Sequence, residues 1–291
     1  GTNIVVGDVI RTFASFLRTF SGVRDEDRVD GVDAALPYYV RRLTHLRALA
    51  AADVGAGLSL PVRVSQLRGH SRESRVLASQ LRAYPNEVVP LLDATARREF
   101  LRLFPAGEHD LDGRHIQVRP HGLSDTSHMR SLDPQDLDTL VGLLGMVVRT
   151  SPIVPDLKEG YFVCEVCGNT MAVGIDRGRV EEPVVCDERG SNGSGCGARG
   201  TFSMVHNRCT FADKQMVRLQ ETPTEVPPGE TPASLLLFCH DDLVDAVQPG
   251  DRVEVTGLYR AQPRRINPRI TKVKSVYKTY LDVIHFKVVE R

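Results

Sequence analysis

Across residues 1–107 the apolar positions keep a helical period. Val9, Ile10, Phe13, Phe16, Leu17 and Phe20 recur behind Asp8, a residue suited to an N-cap, and predict a first helix. A second amphipathic stretch runs from about Tyr38 to Ala51. A third begins near Asn86 and gathers Val88, Leu92, Ala96 and Phe100 on one face, away from Arg97, Arg98 and Arg102. Pro90 is expected in its first turn, where a missing N–H costs least. Between these helices VRVSQL (Val62 to Leu67) alternates like a short strand. The simplest reading is a helical bundle carrying one strand.

From His115 the period shortens to two. IQVRP, LVGLLGMVVRTS (Leu140 to Ser151) and RVEVTGLY (Arg252 to Tyr259) read as strands punctuated by Gly and Pro. In QPGDRVEVTG, Pro249-Gly250 makes a turn, Val253 and Val255 share a face, and Gly257 permits a bend or bulge. Short strands with Gly where a sheet coils tightly suit a small barrel of OB type, with a generic β-sandwich as the alternative.

Four of the six cysteines interrupt this β region: Cys164-x2-Cys167, then Cys186 and Cys196. A C-x2-C pair on a tight turn aims two thiolates at one point, and Gly168 lets backbone N–H groups face the sulfurs. Two such pairs make a tetrahedral Zn²⁺ cage with no open position for water, a structural site and not a catalytic one. The second pair is separated by DERGSNGSG (187–195), longer than usual. That spacer is rich in Gly and Ser, and the entropy of looping it out grows only with the logarithm of its length. His206 and Cys209 are the stand-in ligands, but both fall in a region expected to lie beyond the ribbon. Cys209 and Cys239, set in NRCTF and LLLFCH, read as small buried residues.

Charge changes the picture locally, not globally. Lys+Arg and Asp+Glu are both 37, so affinity for a polyanion has to come from clustering. From Tyr259 to Lys278 the chain carries Arg260, Arg264, Arg265, Arg269, Lys272, Lys274 and Lys278 and no acid. Pro263 and Pro268 bracket RRINP, the tip of an expected hairpin suited to a phosphate backbone. Tyr259, Tyr277 and Tyr280 are the few stacking candidates, which favours backbone tracking over base readout. The competing reading is a solvated edge strand kept soluble by lysines.

Other features exclude classes of function. No apolar run approaches the ~20 residues that span a bilayer. Sparse cysteines clustered in one window favour metal over disulfides and a reducing compartment. The chain opens at Gly1 with no charged-then-apolar leader, which reads as an excised segment. No phosphate loop, H-E-x-x-H or G-x-S-x-G motif occurs, so no catalytic residue is assigned. His240-Asp241-Asp242 is expected to cap a helix starting near Leu243 and not to form an acid–base cluster.

Several long phrases carry a family resemblance. SDTSHMRSLDPQDLDTLVGLLGMVVRTSPIVPDLKEGYFVCEVC, RGRVEEPVVC, MVHNRCTFADKQMVRLQETPTEVPPGETP and DLVDAVQPGDRVEVTGLYRAQPRRINPRITKVKSVYKTYLDVIH resemble the N-terminal region of MCM (minichromosome maintenance) replicative helicases. YPNEVVPLLDATARREFLRLFP resembles the last helix of that family's helical subdomain. DKQMVRLQE, QPGDRV and VKSVYKT are most similar to the fourth eukaryotic paralogue.

The resemblance implies an α+β multidomain chain. Its parts would be a helical subdomain (1–107), an OB-fold barrel with a DNA-binding hairpin (108–160 and 207–291) and an inserted zinc-ribbon subdomain (161–206). It implies a nuclear role in origin licensing, unwinding and fork elongation. The subunit would sit with five other MCM subunits in a hetero-hexamer, head to head in a double hexamer, around single- and double-stranded DNA. Activators such as GINS would join it, and ATP and Mg²⁺ would be used only in a motor outside this chain. The implied DNA contacts are Arg260, Arg264, Arg265, Arg269, Lys272 and Lys274 on the hairpin, with Arg149, Lys214 and Arg218 on the barrel. Gln220 and Glu221 would open a loop that signals to the motor. The long Cys186–Cys196 spacer departs from the paralogue's usual C-x2-C. A rival from another class is a stand-alone single-stranded DNA-binding protein like the large subunit of replication protein A. The scarcity of aromatics argues against it, and closed thiolate ligation argues against a zinc hydrolase.

Overall fold

A computed structural model describes the chain except residues 1–3, 23–35, 53–56, 106, 108–110, 112–113, 175–179, 181, 187–195, 263–276 and 291. It divides into two compact units, residues 1–151 with 216–291, and residues 152–215.

In the larger unit the helices are α1 (Val6–Thr19), α2 (Tyr38–Ala52), α3 (Val64–His70), α4 (Arg72–Ala83) and α5 (Pro85–Leu103). The apolar stripe of α1 buries Val9, Phe13, Phe16 and Leu17 against α5 and α4. Phe16 meets Tyr39 of α2 at 4.9 Å between ring centroids, so aromatic packing fixes the α1–α2 approach. Val88, Leu92, Ala96 and Phe100 form the buried face of α5, as their spacing predicts.

Three local expectations need correction. Asp8 is not the N-cap of α1; the helix starts behind Val5, and Asp8 lies in the first turn paired with Arg11. Pro85, not Asn86, opens α5. Pro90 therefore falls past the first turn, where both it and Asn86 are exposed and water can take the carbonyl left without a donor. VRVSQL is not one strand but the junction of β1 (Leu58–Arg63) and α3. Val62 and Val64 are two apart and Val64 and Leu67 three apart, all buried, so one apolar set satisfies both periods.

The strand β1 pairs in parallel with β2 (Ile116–His121), from Leu58 opposite Ile116 to Arg63 opposite His121. Asp93 on α5 accepts a hydrogen bond from the Val118 N–H at 2.6 Å, and burial pushes its pKa up to about 6. Glu99, nearly inaccessible, joins the helices. It accepts from Arg18 of α1 at 2.6 and 2.8 Å and from Arg102 at 2.9 Å. Burial works to raise the Glu99 pKa, but those bonds outweigh it and hold the carboxyl below its usual value.

The main sheet of this unit follows β3 (Leu140–Thr150), β9 (Arg252–Gln262), β10 (Lys278–Glu290), β8 (Ser234–His240) and the C-terminal part of β7 (Thr210–Gln220). The path returns on itself, because β7 also pairs with β3. β10 runs parallel to β8 and antiparallel to β9. Inside lie Leu143, Val217, Leu219, Leu237, Val253, Val255 and Leu281, a core separate from that of the helices. Gly257 is required where β9 crosses β10: a Cβ there would stand 2.5 Å from the Asp282 carbonyl oxygen, and the ladder shifts register beside it, between Val283 and His285. His240-Asp241-Asp242 leads into a single 3-10 turn, Asp241–Leu243, without a side-chain cap. Asp242 is instead engaged by the half-buried pair it makes with Arg119.

The smaller unit pairs β4 (Val154–Cys164) with β5 (Thr170–Gly174), β6 (Phe202–Met204) and the N-terminal part of β7. Among the described residues no helix is long and apolar enough to cross a membrane.

Candidate metal centre and nucleic-acid interface

The chain enters the cysteine region at the end of β4 and turns at once. The Gly168 N–H donates to the Cys164 carbonyl at 2.8 Å, with Gly168 at φ +74°. The second turn repeats the first. Gly197 follows Cys196, takes φ +54°, and donates its N–H to the Cys186 carbonyl at 3.2 Å. Glycine is needed at both corners because other residues adopt this conformation at a cost. The spacer 187–195 lies outside the described residues, yet the turn that flanks it closes in the same way as the turn of the short pair.

These turns bring Cys164, Cys167, Cys186 and Cys196 together, their sulfurs all within 4.8 Å of one another. Cys167 and Cys186 stand 3.5 Å apart, and Cys164 and Cys196 4.0 Å. Four thiolates at ~2.3 Å from a tetrahedral ion would be separated by about 3.8 Å, so the donor set fits a metal ion. Its electrostatics point the same way. The Thr201 hydroxyl and the backbone N–H groups of Cys167 and Val166 pull the Cys164 thiol down to about 6. At the exposed Cys167 the Asn169 N–H favours the thiolate, but local desolvation and the neighbouring thiols push it up to about 12. Crowded thiols resist joint ionisation until a cation joins them. Neither stand-in ligand belongs to the cluster: Cys209 accepts from the Tyr161 N–H and donates to the Val205 carbonyl, each at 3.3 Å, and His206 opens a 3-10 turn. Cys239 is inaccessible and its thiol is pushed up to about 12 by burial, which fits an inert core residue.

The basic candidates divide. Arg149 of β3 and Arg218 of β7 sit directly opposite each other in the ladder, and both are exposed. Neither has a carboxylate partner among the described residues. Lys214 instead lies 4.0 Å from Asp156. Arg260 is half-buried, donating to Asn86 Oδ1 at 3.1 Å with Asp282 at 3.8 Å. Arg264, Arg265, Arg269, Lys272 and Lys274 lie outside the described residues. The strands that flank them pair with each other, Gln262 opposite Lys278, so the basic stretch joins the ends of one antiparallel pair.

Gln220 and Glu221 mark the end of β7, with Gln220 opposite Met146. Glu221 is buried and anchors the following loop at both ends. Its N–H donates to the Ala233 carbonyl at 3.1 Å, while its carboxylate accepts from the Ala233 N–H at 2.9 Å. The same carboxylate takes two bonds at 3.0 Å from Arg130, which also grips Glu230 and donates to the Thr231 carbonyl at 2.8 Å. Sequence reasoning missed Arg130, which lies 91 positions from Glu221 with no local motif to mark it.

The comparisons with known proteins match this architecture. Residues 128–263 fit the family model of the MCM OB domain, which makes this an OB-fold protein of mixed α+β content. Residues 10–122 fit the MCM N-terminal domain. The chain is 42% identical, over 99% of its length, to DNA replication licensing factor mcm4-B of Xenopus laevis. It is 38% identical over its full length to DNA replication licensing factor MCM4 of Drosophila melanogaster, and 39% identical over 99% to mcm4 of Schizosaccharomyces pombe. The chain belongs to the MCM family, in its N-terminal region, and matches relatives named MCM4 across eukaryotes. It spans about a third of the length of these relatives, between 31% and 32%.

Proposed function

We propose that this region binds DNA and assembles with other MCM subunits in the nuclear licensing helicase, acting in origin licensing, unwinding and fork elongation, and does no chemistry itself. The observation that carries the DNA reading is the Arg149–Arg218 pair. Like charges directly opposite on neighbouring strands destabilise a sheet by about 0.5 kcal/mol, a cost that a phosphate lying across both strands would reverse. Arg264, Arg265, Arg269, Lys272 and Lys274, on the stretch between β9 and β10, would extend this contact, with Lys214 and Arg260 in lesser roles because each already faces an acid.

Within this reading the closed strand path is the OB barrel and the N-terminal helices are the family's helical subdomain. Residues 161–206 are the inserted zinc ribbon, with Cys164, Cys167, Cys186 and Cys196 holding one structural Zn²⁺. A thiolate-only set supports zinc because it is soft and leaves no site for water. The loop after Glu221 would relay the state of this region to a motor elsewhere that uses ATP and Mg²⁺. The partners would be five other MCM subunits, a second hexamer head to head, and activators such as GINS.

The test is the salt dependence of oligonucleotide binding by the protein and its Arg149→Ala/Arg218→Ala variant. Each lost phosphate contact should flatten the slope of log K against log salt by about 0.7 for single strands, so about 1.4 for the pair. An unchanged slope overturns the assignment.

A further inference from the structure

The two cysteine turns are tied to each other by side chains as well as by their sulfurs. The Thr201 hydroxyl lies 3.4 Å from Cys164 Sγ, and the Asn169 amide NH₂ group donates to Cys186 Sγ at 3.8 Å. The contacts cross over. Asn169 follows the first turn and reaches a sulfur of the second, while Thr201 follows the second turn and reaches a sulfur of the first. Cys164 and Cys186 are the buried members of the cluster, whereas Cys167 is exposed and Cys196 half-buried. These two donors therefore serve the sulfurs that water reaches least.

Both donors are held in place by their own backbones. The Asn169 carbonyl accepts from the Cys164 N–H at 2.8 Å, and the Thr201 carbonyl accepts from the Glu165 N–H at 2.9 Å. Thr201 also leads directly into β6, whose Phe202 stands opposite Cys164. A thiolate accepts and cannot donate, so at an ionised Cys164 the hydroxyl has to be the donor. Four thiolates carry more negative charge than one divalent ion neutralises. Burying that excess is costly unless hydrogen bonds reach the sulfurs, and groups that donate to metal ligands orient them and tune the metal.

We propose that Thr201 and Asn169 are positioning residues of the metal centre, each donating across the two turns to a buried thiolate and so setting how tightly the four sulfurs hold the ion. This rests on the reading of the cysteine cluster as a metal site. The crossing also accounts for the register of the second turn, whose cysteines are separated by the segment 187–195. Asn169 supplies a link to Cys186 that does not pass through that segment.

The experiment measures Zn²⁺ affinity of this chain by competition with a chromophoric chelator, and the sulfur-to-metal charge-transfer band after loading with Co²⁺. Thr201→Val and Asn169→Leu nearly keep the size of each side chain and remove its donor. Each should weaken Zn²⁺ by about tenfold or more. Each should also move the Co²⁺ band to longer wavelength, because a thiolate that has lost a hydrogen bond gives up an electron more readily. Thr201→Ser keeps the hydroxyl and should restore both values. Affinities within about twofold of the parent, with the band unmoved, overturn the proposal and leave the centre standing. Weakening that Thr201→Ser does not restore, with no shift of the band, overturns it too, since the side chains would then only fill space. A parent chain that takes up neither ion removes the centre itself, and with it the proposal, before any variant is made.

Discussion

Glu99 offers a sharp test of how the helical part is held together, because its two partners differ from it in exposure. The Glu99 side chain is 2% accessible, whereas Arg18 and Arg102 are 46% and 49% accessible. Removing the arginine and removing the acid should therefore have unequal consequences. Arg18→Ala deletes two charge-assisted bonds and strands a buried carboxylate on Arg102 alone. Breaking a buried pair from one side costs about 3–5 kcal/mol, and the surviving Arg102 bond reduces this to about 2–4 kcal/mol. Glu99→Met removes the charge that was costly to bury and releases two half-exposed guanidinium groups to water, at an expected cost of about 0–1.5 kcal/mol. Urea unfolding followed by circular dichroism at pH 7 gives both numbers, and the double variant completes the cycle. Since the folded carboxyl is held below its usual pKa, the stabilisation is present above pH 4.5 and disappears as pH falls through the folded value. The gap between the variants should shrink accordingly in acid. A Glu99→Met protein that loses 3 kcal/mol or so while Arg18→Ala is neutral would refute the reasoning.

Gly257→Ala should cost about 2–4 kcal/mol in the same assay, because backbone and not a flexible side chain blocks the new methyl; a change under about 1 kcal/mol would mean the strands can part. Acid should destabilise the fold through two stacked imidazoles. His121 and His285 are lowered to about 3 and about 4, so the unfolded chain takes up protons first, and stability falls as pH drops from 6.5 toward 4. The slope should approach about 2.7 kcal/mol per pH unit for two groups, and His121→Gln/His285→Gln should remove that share. Zinc measured by elemental analysis should be near one per chain and vanish in Cys164→Ser/Cys167→Ser, with chelator lowering the melting temperature of the parent only; a metal-free parent of unchanged stability would exclude the centre.

Periodicity revealed α1, α2, α5, β3 and β9, which lie close to where the spacing of apolar residues puts them. It failed where two periods share residues, as at Val64, and where burial is thin. In α4 the buried positions are Ser74, Leu77, Ala78 and Leu81, two of them small residues that do not mark a core-facing stripe in the sequence. The cysteine cluster was legible because each turn is local and carries its own glycine. Two other features were not. The Arg149–Arg218 pairing depends on the register between β3 and β7, and the Arg130–Glu221 clamp depends on chain folding across a long separation. Candidacy as a basic residue is written in the sequence, but freedom from a neighbouring acid is not. That distinction separates Arg218 from Lys214.

The twin glycine corners around the four thiols have a practical corollary. The second corner closes from Gly197 back to Cys186 with the segment 187–195 between its cysteines, so the sulfurs meet without the usual short spacing. Lengthening that segment, shortening it or fitting it with a fluorophore should leave the sulfurs in register. It is therefore the natural place from which to watch, or to obstruct, whatever surface this end of the molecule meets.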